Sequence, residues 1–324
     1  MPNPPPKRWL LAALGALSAL VAATASAAQL TIAIADLPAF SPALVADQAG
    51  FFATEGLDVK VIRCVNGRHC LKHLTDGEAA LATVADTPMV MAAHAGKSFG
   101  ILTTMATSRR QTRLIVRSDR AIHSASDLKG KRLGFIRGTS AHYFVDNFLI
   151  FSGLKHQDLT LVPLDPVRAA EQLIAGEVDA AGLYNPHGPF ALEQLGDKAH
   201  QLSTLLTHTT TFNLVTQPGV SDEDLRKVLR ALERALVLMR QQPHTARTLV
   251  SARLNLEPSV IKTMWGDYEF RLVLDQALIT TLESESRWAV REGLVENKTM
   301  PNYLDMVRDL PLRSIDRRAV TVIK

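Results

Sequence analysis

The chain has 324 residues, of which 47% are hydrophobic and 21% are charged, and its formal net charge is +4 at pH 7. This composition is ordinary for a globular protein and excludes a largely disordered chain, while the mild positive charge gives no support to nucleic-acid binding. The sequence after residue 27 contains no low-complexity tract and no repeat of fixed period, which excludes fibrous and solenoid proteins.

The first 27 residues have the three parts of a secretory signal peptide. Lys7 and Arg8 form a basic segment, residues 9–23 are apolar, and the Ala-Ser-Ala at 25–27 fits the rule for cleavage. The apolar run is too short to span a bilayer, and no cysteine follows it that could carry a lipid anchor. We therefore predict a mature chain that begins near Ala28 and is free in the periplasm.

Downstream of the signal, apolar segments alternate with amphipathic ones. The segments predicted as strands lie at 30–35, 57–63, 79–84, 99–104, 113–117, 132–136, 160–164, 178–183 and 210–216. Helices are predicted between them, for example at 41–50, 140–152 and 167–175, and later at 221–241, 258–265, 270–292 and 300–308. Because β-loop-α alternation is typical of parallel strands flanked by helices, we predict an α/β fold with mostly parallel sheets.

The alternation restarts after residue 113, and about 300 residues are enough for two lobes rather than one core. We predict a first lobe formed by residues 28–113 plus 214–324 and a second lobe, residues 114–213, inserted into it. Two chain crossings would then form a hinge. A ligand cleft is expected where the carboxyl ends of both sheets meet.

Cys64 and Cys70 are the two cysteines of the chain. In an oxidising compartment, a disulfide that closes this short loop is the favoured interpretation and is worth about 2 kcal/mol by the chain-entropy estimate. A metal site is the alternative, because His69 and His73 lie one helical turn apart and flank Cys70. Paired cysteines cannot act as thiolate ligands, and we predict no metal and no cofactor.

The segment 127–153 predicts an anion-binding loop. A strand at 132–136 leads through Gly138, Thr139 and Ser140 into a helix, and the N-terminus of a helix presents unpaired N–H groups and a positive dipole end. Ser140 is predicted to cap this helix. One helix face carries three aromatic residues that are expected to pack against the sheet, and they are Phe144, Phe148 and Phe151.

Four segments carry a family resemblance: AGFFATEGLDVKV, LTDGEAALATVADTPMVMA, SASDLKGKRLGF and AGEVDAAGLYNPH. In this order and spacing they resemble the periplasmic solute-binding proteins of ABC importers in the nitrate, sulfonate and taurine group. The resemblance implies a two-lobed, type II periplasmic-binding-protein fold. It also implies capture of a small anionic organic solute at the hinge, delivery to a permease and ATPase complex, a monomer, and no catalysis.

The same resemblance implies a ligand site made of loops that follow the strands. From the first lobe it includes Phe40, Ser41, Asn66, Gly67, Asp86 and Thr87, and from the second Gly138, Thr139, Ser140, His142, Tyr184 and Asn185. We expect Arg109, with Arg110 as the alternative, to neutralise Asp86 or to bind the anion, because a guanidinium is a fork of donors.

The chain differs from taurine binders in two segments, and three other functions are considered as alternatives. The segment 209–213 lacks the acidic residue expected in taurine binders, and Asp86-Thr87 stands where they carry Ser-Ser. Phe40 and Tyr184 could stack on a pyrimidine or another aromatic heterocycle. The C-terminal segment 301–324 resembles partners of membrane signalling proteins. A pyrimidine-precursor synthase is disfavoured by the secretory signal and by the lack of a Cys-rich iron-binding segment.

Overall fold

The computed structural model of the chain describes Met1, residues 29–204 and residues 208–323. The predicted signal peptide therefore lies, except for Met1, outside the described residues. Within the described ranges, no helix combines the length and the apolar character that a membrane crossing requires.

The first sheet contains, in the part of the chain described, six strands. They are β1 (Leu30–Ala35), β2 (Val59–Cys64), β3 (Leu81–Ala85), β4 (Gly100–Ser108), β10 (Thr210–Thr216) and β11 (Glu269–Val273). Their order is β11-β4-β10-β3-β1-β2. β1 pairs in parallel with β2 and β3, whereas β10 runs antiparallel between β3 and β4, and β11 runs antiparallel beside β4.

The second sheet has five described strands. They are β5 (Thr112–Arg117), β6 (Arg132–Phe135), β7 (Thr160–Pro163), β8 (Ala180–Tyr184) and β9 (Ala199–Gln201). Their order is β7-β6-β8-β5-β9, with β6 parallel to β7 and β8, and β5 antiparallel to β8 and β9. The two-lobed α/β fold with mostly parallel strands is confirmed: in each sheet four of the described strands run in one direction, and β5, β10 and β11 run against them.

Helices cover the faces of both sheets. They are α1 (Ser41–Gln48), α2 (Phe51–Thr54), α3 (Gly67–Thr75), α4 (Asp86–His94), α5 (Ser140–Phe151), α6 (Ala169–Ile174), α7 (His187–Leu195), α8 (Asp222–Gln241), α9 (Pro243–Leu254), α10 (Pro258–Trp265), α11 (Gln276–Arg291) and α12 (Asp309–Ile315). On α5, Phe144 and Phe148 are buried as predicted, whereas Phe151 is 74% exposed because it ends the helix beyond the sheet.

The chain passes between the sheets twice, once through residues 109–111 and once between the end of β9 and the start of β10. The predicted lobe boundaries after residues 113 and 213 fall inside β5 and β10, since each strand begins a few residues earlier. We therefore propose that the lobes are divided at the two crossing segments rather than at the predicted boundaries after residues 113 and 213.

Two predicted helices differ from the structure. The helix predicted at 270–292 is preceded by β11, whose alternating polar and apolar residues suit an edge strand, so α11 starts only at Gln276. The segment 300–308 is not helical. Instead, residues 303–306 form turns, and Val307 makes an isolated bridge to β4. At this bridge Ile101 donates its N–H to the Met306 carbonyl and accepts from the Arg308 N–H.

Candidate functional site

A small cavity lies between the lobes, where strands of both sheets end. Its volume is about 30 Å³, room for one or two waters, so the lobes lie close together over it. Six of the predicted site residues line it, namely Phe40, Asn66, Gly67, Thr139, Ser140 and Tyr184, and it is completed by Leu37, Arg68, Ala85, Pro88, Gln111 and Phe212.

Two helices begin at this cavity, one from each lobe. α3 starts at Gly67, and the Asn66 side chain caps it by accepting from the His69 N–H at 3.0 Å. α5 starts at Ser140, so the predicted cap is wrong: Thr139 holds the cap position, and its hydroxyl donates to the Ile136 carbonyl at 2.7 Å. The first-turn N–H groups of both helices lack intrahelical partners, so two positive dipole ends converge on the cavity.

Glycine at position 67 brings α3 against the first sheet. A Cβ at this position would lie 2.8 Å from the Val84 Cα and 3.1 Å from the Ala85 nitrogen. Both are backbone atoms that cannot move aside as a flexible side chain can. The close approach of α3 to β3 therefore depends on Gly67.

Aromatic side chains form the deep wall of the cavity. Phe40 is buried and meets Phe212 edge-on at 5.5 Å between ring centroids. Tyr184 is also buried, and its hydroxyl has no hydrogen-bond partner among the described residues. Burial raises the pKa of Tyr184 to about 12, although the nearby Asn66 side chain opposes the shift. Tyr184 is thus a neutral hydroxyl free to bind a ligand.

Arg68 is the cation at the cavity, and the sequence analysis missed it. It lies in the first turn of α3, lines the cavity and donates from Nη1 to the Arg137 carbonyl of the other lobe at 3.2 Å. Its remaining N–H groups are available to an anion. Its position directly after the predicted loop residues Asn66 and Gly67 was the available signal.

A larger groove of about 450 Å³ adjoins the small cavity, and Arg68 and Pro88 line both. Leu71, Met91 and Leu294 give the groove an apolar side. The predicted site residues Gly138 and His142 lie in this groove, outside the small cavity.

Three other predicted residues do not reach the small cavity. Ser41 is fully buried, and its hydroxyl donates to the Pro38 carbonyl at 2.6 Å. Asn185 is part of the hinge, where its amide donates to Asp267 and to the Tyr268 hydroxyl, each at 3.2 Å. Arg109 lines a separate cavity of about 690 Å³ on the first lobe.

Asp86 and Thr87 lie behind the site, in a buried acidic cluster. Asp86 is not paired with Arg109. It accepts from the Thr211 N–H at 2.7 Å, and burial raises its pKa to about 6. Burial and the nearby Asp86 raise the pKa of Glu285 well above its usual value, whereas burial lowers the pKa of His208 to about 4.

The disulfide between Cys64 and Cys70 is confirmed. It joins the end of β2 to α3 and closes the loop that carries Asn66 and Gly67. Because both sulfurs are bonded to each other, the alternative of a metal site with Cys64 as thiolate ligand is wrong. His73 is instead paired with Glu78.

Helix α5 of the second lobe contacts helix α11 of the first. The Trp288 Nε1–H donates to Asp146 Oδ2 at 2.9 Å, and the Tyr143 hydroxyl lies 3.4 Å from Ser284 Oγ. Burial raises the pKa of Asp146 and lowers that of His142 to about 4. These contacts hold the lobes together beside the groove.

Comparison with known proteins relates this geometry to a family. Two relatives, from Escherichia coli (strain K12) and Bacillus subtilis (strain 168), are named aliphatic sulfonates-binding proteins. Both are 27% identical to this chain. The match with the Escherichia coli protein covers 60% of this chain and 62% of that protein, and the match with the Bacillus subtilis protein covers 80% of each. The chain therefore spans less than two thirds of the Escherichia coli protein.

Solved structures share the fold. The alkanesulfonate-binding protein SsuA from Xanthomonas axonopodis pv. citri, bound to MOPS, superposes with a TM-score of 0.74 at 22% identity, covering 86% of this chain and 98% of that one. A mutant of DSZB in complex with biphenyl-2-sulfinic acid superposes with a TM-score of 0.66 at 17% identity, covering 90% and 99%. At these identities the likeness shows the fold alone.

A family model described as NMT1/THI5 like matches residues 37–246, which is more than half of the chain. The match includes the second lobe, part of the first lobe and both helices that begin at the small cavity. The resemblance inferred from the sequence is thereby confirmed. The chain belongs to the NMT1/THI5-like family.

Proposed function

We propose that this protein is the extracytoplasmic solute-binding component of an ABC importer and that it captures an organic anion of the alkanesulfonate class. The observation that carries the proposal is the convergence of two helix N-termini and Arg68 on one small interlobe cavity. Helix N-termini and a guanidinium supply fixed N–H donors to a compact anionic group, so the ligand needs no cationic group of its own.

The two adjoining cavities suit the two parts of such a ligand. The small cavity accommodates the anionic headgroup once the lobes separate slightly. The groove, with Leu71, Met91 and Leu294 on one side, receives an aliphatic chain. Arg68 lines both spaces and marks the point where headgroup and chain join.

The relatives support this class of ligand, since two are named for aliphatic sulfonates and MOPS, bound by one solved relative, is itself an alkanesulfonate. We further propose that the protein works as a monomer in the periplasm after loss of residues 1–27. It delivers its solute to a membrane permease and ATPase complex and carries out no reaction on it.

Isothermal titration of the mature chain with butanesulfonate, MOPS, taurine, butanoate and nitrate tests the proposal. We expect the alkanesulfonates to bind most tightly. Arg68→Met should weaken their binding about 10- to 100-fold, as expected for loss of a charged hydrogen bond, whereas the matched control Arg109→Met should bind like the wild type. Absence of sulfonate binding, or an equal loss in both variants, would contradict the proposal.

An aromatic heterocycle is the second candidate ligand, because Phe40, Phe212 and Tyr184 line the small cavity. Stacking between such rings and a pyrimidine contributes in addition to apolar burial. An aminopyrimidine that binds in the same titration, with affinity unchanged by Arg68→Met, would favour this candidate over the sulfonate.

A further inference from the structure

Asp86, His208 and Glu285 meet at the junction of three segments. Asp86 opens α4, Glu285 lies on α11, and His208 belongs to the second crossing between the lobes. One ligand atom from each side chain lies within 4.8 Å of the other two. The cluster therefore joins the hinge to the body of the first lobe.

Glu285 has no stabilising partner of the kind a buried carboxylate needs. It is fully buried, and neither carboxylate oxygen has a partner in hydrogen-bond geometry among the described residues. The nearby Thr87 hydroxyl favours the ionised form but offsets the burial only in part. Its nearest basic group is His208, whose Nε2 lies 3.6 Å from Oε1. No arginine or lysine of residues 29–204 and 208–323 forms an ion pair with Glu285 or with Asp86. A bare buried carboxylate is costly unless a cation or a proton accompanies it.

We infer that Asp86, His208 and Glu285 form a binding site for a divalent transition-metal ion, with Zn²⁺ as the best fit. Imidazole nitrogens and carboxylate oxygens both bind zinc, at about 2.0–2.2 Å, which puts ligand atoms about 3.3 Å apart in a tetrahedral site. Side-chain movements of about one ångström bring these three into that range. The fourth position remains for water or a ligand atom.

Thr211 supports Asp86 in the way that outer residues orient metal ligands. Its N–H and its hydroxyl both donate to Asp86 Oδ2, at 2.7 and 3.3 Å, and the Thr87 N–H donates to Oδ1 at 3.0 Å. These three bonds fix the carboxylate plane, and Oδ1 keeps one lone pair for a metal. Thr211 also lines the 690 Å³ cavity on the first lobe, so this cavity reaches a residue that contacts Asp86.

This site is distinct from the Cys64, His69 and His73 set, and it departs from the sequence-based prediction that the chain binds no metal. It does not depend on the proposed solute. Its consequence is mechanical: a metal that joins His208 to Asp86 and Glu285 anchors the second crossing segment to the first lobe.

The test uses the mature chain without a histidine tag, stripped with a chelator and then titrated with Zn²⁺ by calorimetry and with Co²⁺ by absorption spectroscopy. We expect one zinc per chain and the intense visible bands of tetrahedral Co²⁺. Glu285→Gln and His208→Asn should each weaken zinc binding by at least about 100-fold, and Thr211→Ala by about 10-fold.

Two control variants remove the histidines of the two other groups of candidate metal ligands among the described residues: the double variant His69→Asn with His73→Asn, and His156→Asn. Both should still bind one zinc. The inference is overturned if the wild type binds no zinc, or if binding disappears in the controls and persists in His208→Asn. His208 lies at a partly exposed position, so its variant remains informative even if Glu285→Gln fails to fold.

Discussion

His142 is a buried imidazole held between aromatic rings. It stacks on Phe135 at 4.5 Å and meets Trp288 edge-on at 5.2 Å. The charged groups around it are Asp146, 3.6 Å away, and Arg137 and His156, which act on its pKa. Burial is the largest cause that lowers the pKa of His142 to about 4, so the folded protein keeps this ring neutral.

The lowered pKa of His142 predicts that the free energy of unfolding falls in acid. An unfolded histidine titrates near pH 6.5, so between pH 6.5 and about 4 the unfolded state binds a proton that the folded state does not. The stability from His142 is therefore full above pH 6.5 and is lost as the pH falls through about 4. The difference is about 3 kcal/mol at 1.36 kcal/mol per pKa unit.

Urea unfolding of the wild type and of His142→Asn at several pH values between 4 and 7 measures this effect. The free energy of unfolding of the variant should fall less steeply on acidification. Asp146 acts in the opposite direction, because its raised pKa favours the folded state at lower pH, and it is present in both proteins. Parallel profiles for the two proteins would show that His142 binds protons equally in the folded and the unfolded state.

Helix α3 combines most of the features that shape the candidate site. The disulfide fixes its first turn to the end of β2, Asn66 caps it, and Gly67 lets it start against β3. Arg68 follows at once. The position of this guanidinium therefore depends on the placement of one helix end rather than on a loop.

Gly67→Ala is expected to lower the free energy of unfolding by about 1–3 kcal/mol, because the added methyl group would overlap backbone atoms of β3. It should also weaken anion binding, since α3 must shift. The control is Gly266→Ala, where a Cβ meets nothing within 4 Å and the backbone is not left-handed, and its effect should stay within about 0.5 kcal/mol. Equal stability of the two variants would contradict the close approach.

Local signals were enough to predict the elements around the site. Strand-loop-helix patterns located α3, α4 and α5, and the loop residues Asn66, Gly67, Thr139 and Ser140 line the small cavity as the resemblance implied. Whether they bind the ligand stays a prediction.

Long-range packing decided what the sequence could not predict. Arg109 follows β4, whose neighbours in the sheet are β10 and β11, and it lines the 690 Å³ cavity beside these strands. Arg68 lies at the start of α3 and reaches the cleft because α3 packs on β3, which the sequence does not reveal. The antiparallel place of β10 between β3 and β4 depends on pairing partners about 100 residues away in sequence. The cluster of Asp86 with Glu285 requires the same kind of distant contact.

Contacts between the lobes determine how easily the whole molecule opens. On one side, Arg113 and Asn185 of the second lobe bind Asp267 of the first. On the other side, Asp146 accepts from the Trp288 indole. Opening of the cleft must break the second of these contacts, whereas the first lies at the hinge itself.

Trp288→Phe removes the indole N–H that Asp146 accepts while it keeps an aromatic ring. Loss of this buried hydrogen bond should cost the closed form about 1–3 kcal/mol, so the ligand-free protein should have a larger radius of gyration in X-ray scattering. Ligand affinity should fall with the closed population. The control Trp265→Phe alters a ring that contacts Phe270 within the first lobe. An equal increase in radius of gyration in both variants would argue against a role of the Trp288–Asp146 hydrogen bond in holding the lobes together.

The central place of β10 has a consequence for the order in which the lobes fold. β3 and β4 are made early, but the strand that separates them in the sheet ends only at residue 216 of 324. Until then the first lobe has only the three strands β2, β1 and β3 together and β4 by itself, and the strand that pairs with both β3 and β4 is missing. The second lobe, whose strands all lie within 112–201, is complete earlier. Because the chain is synthesised from its N-terminus, the inserted second lobe can therefore complete its fold while the first lobe still lacks β10.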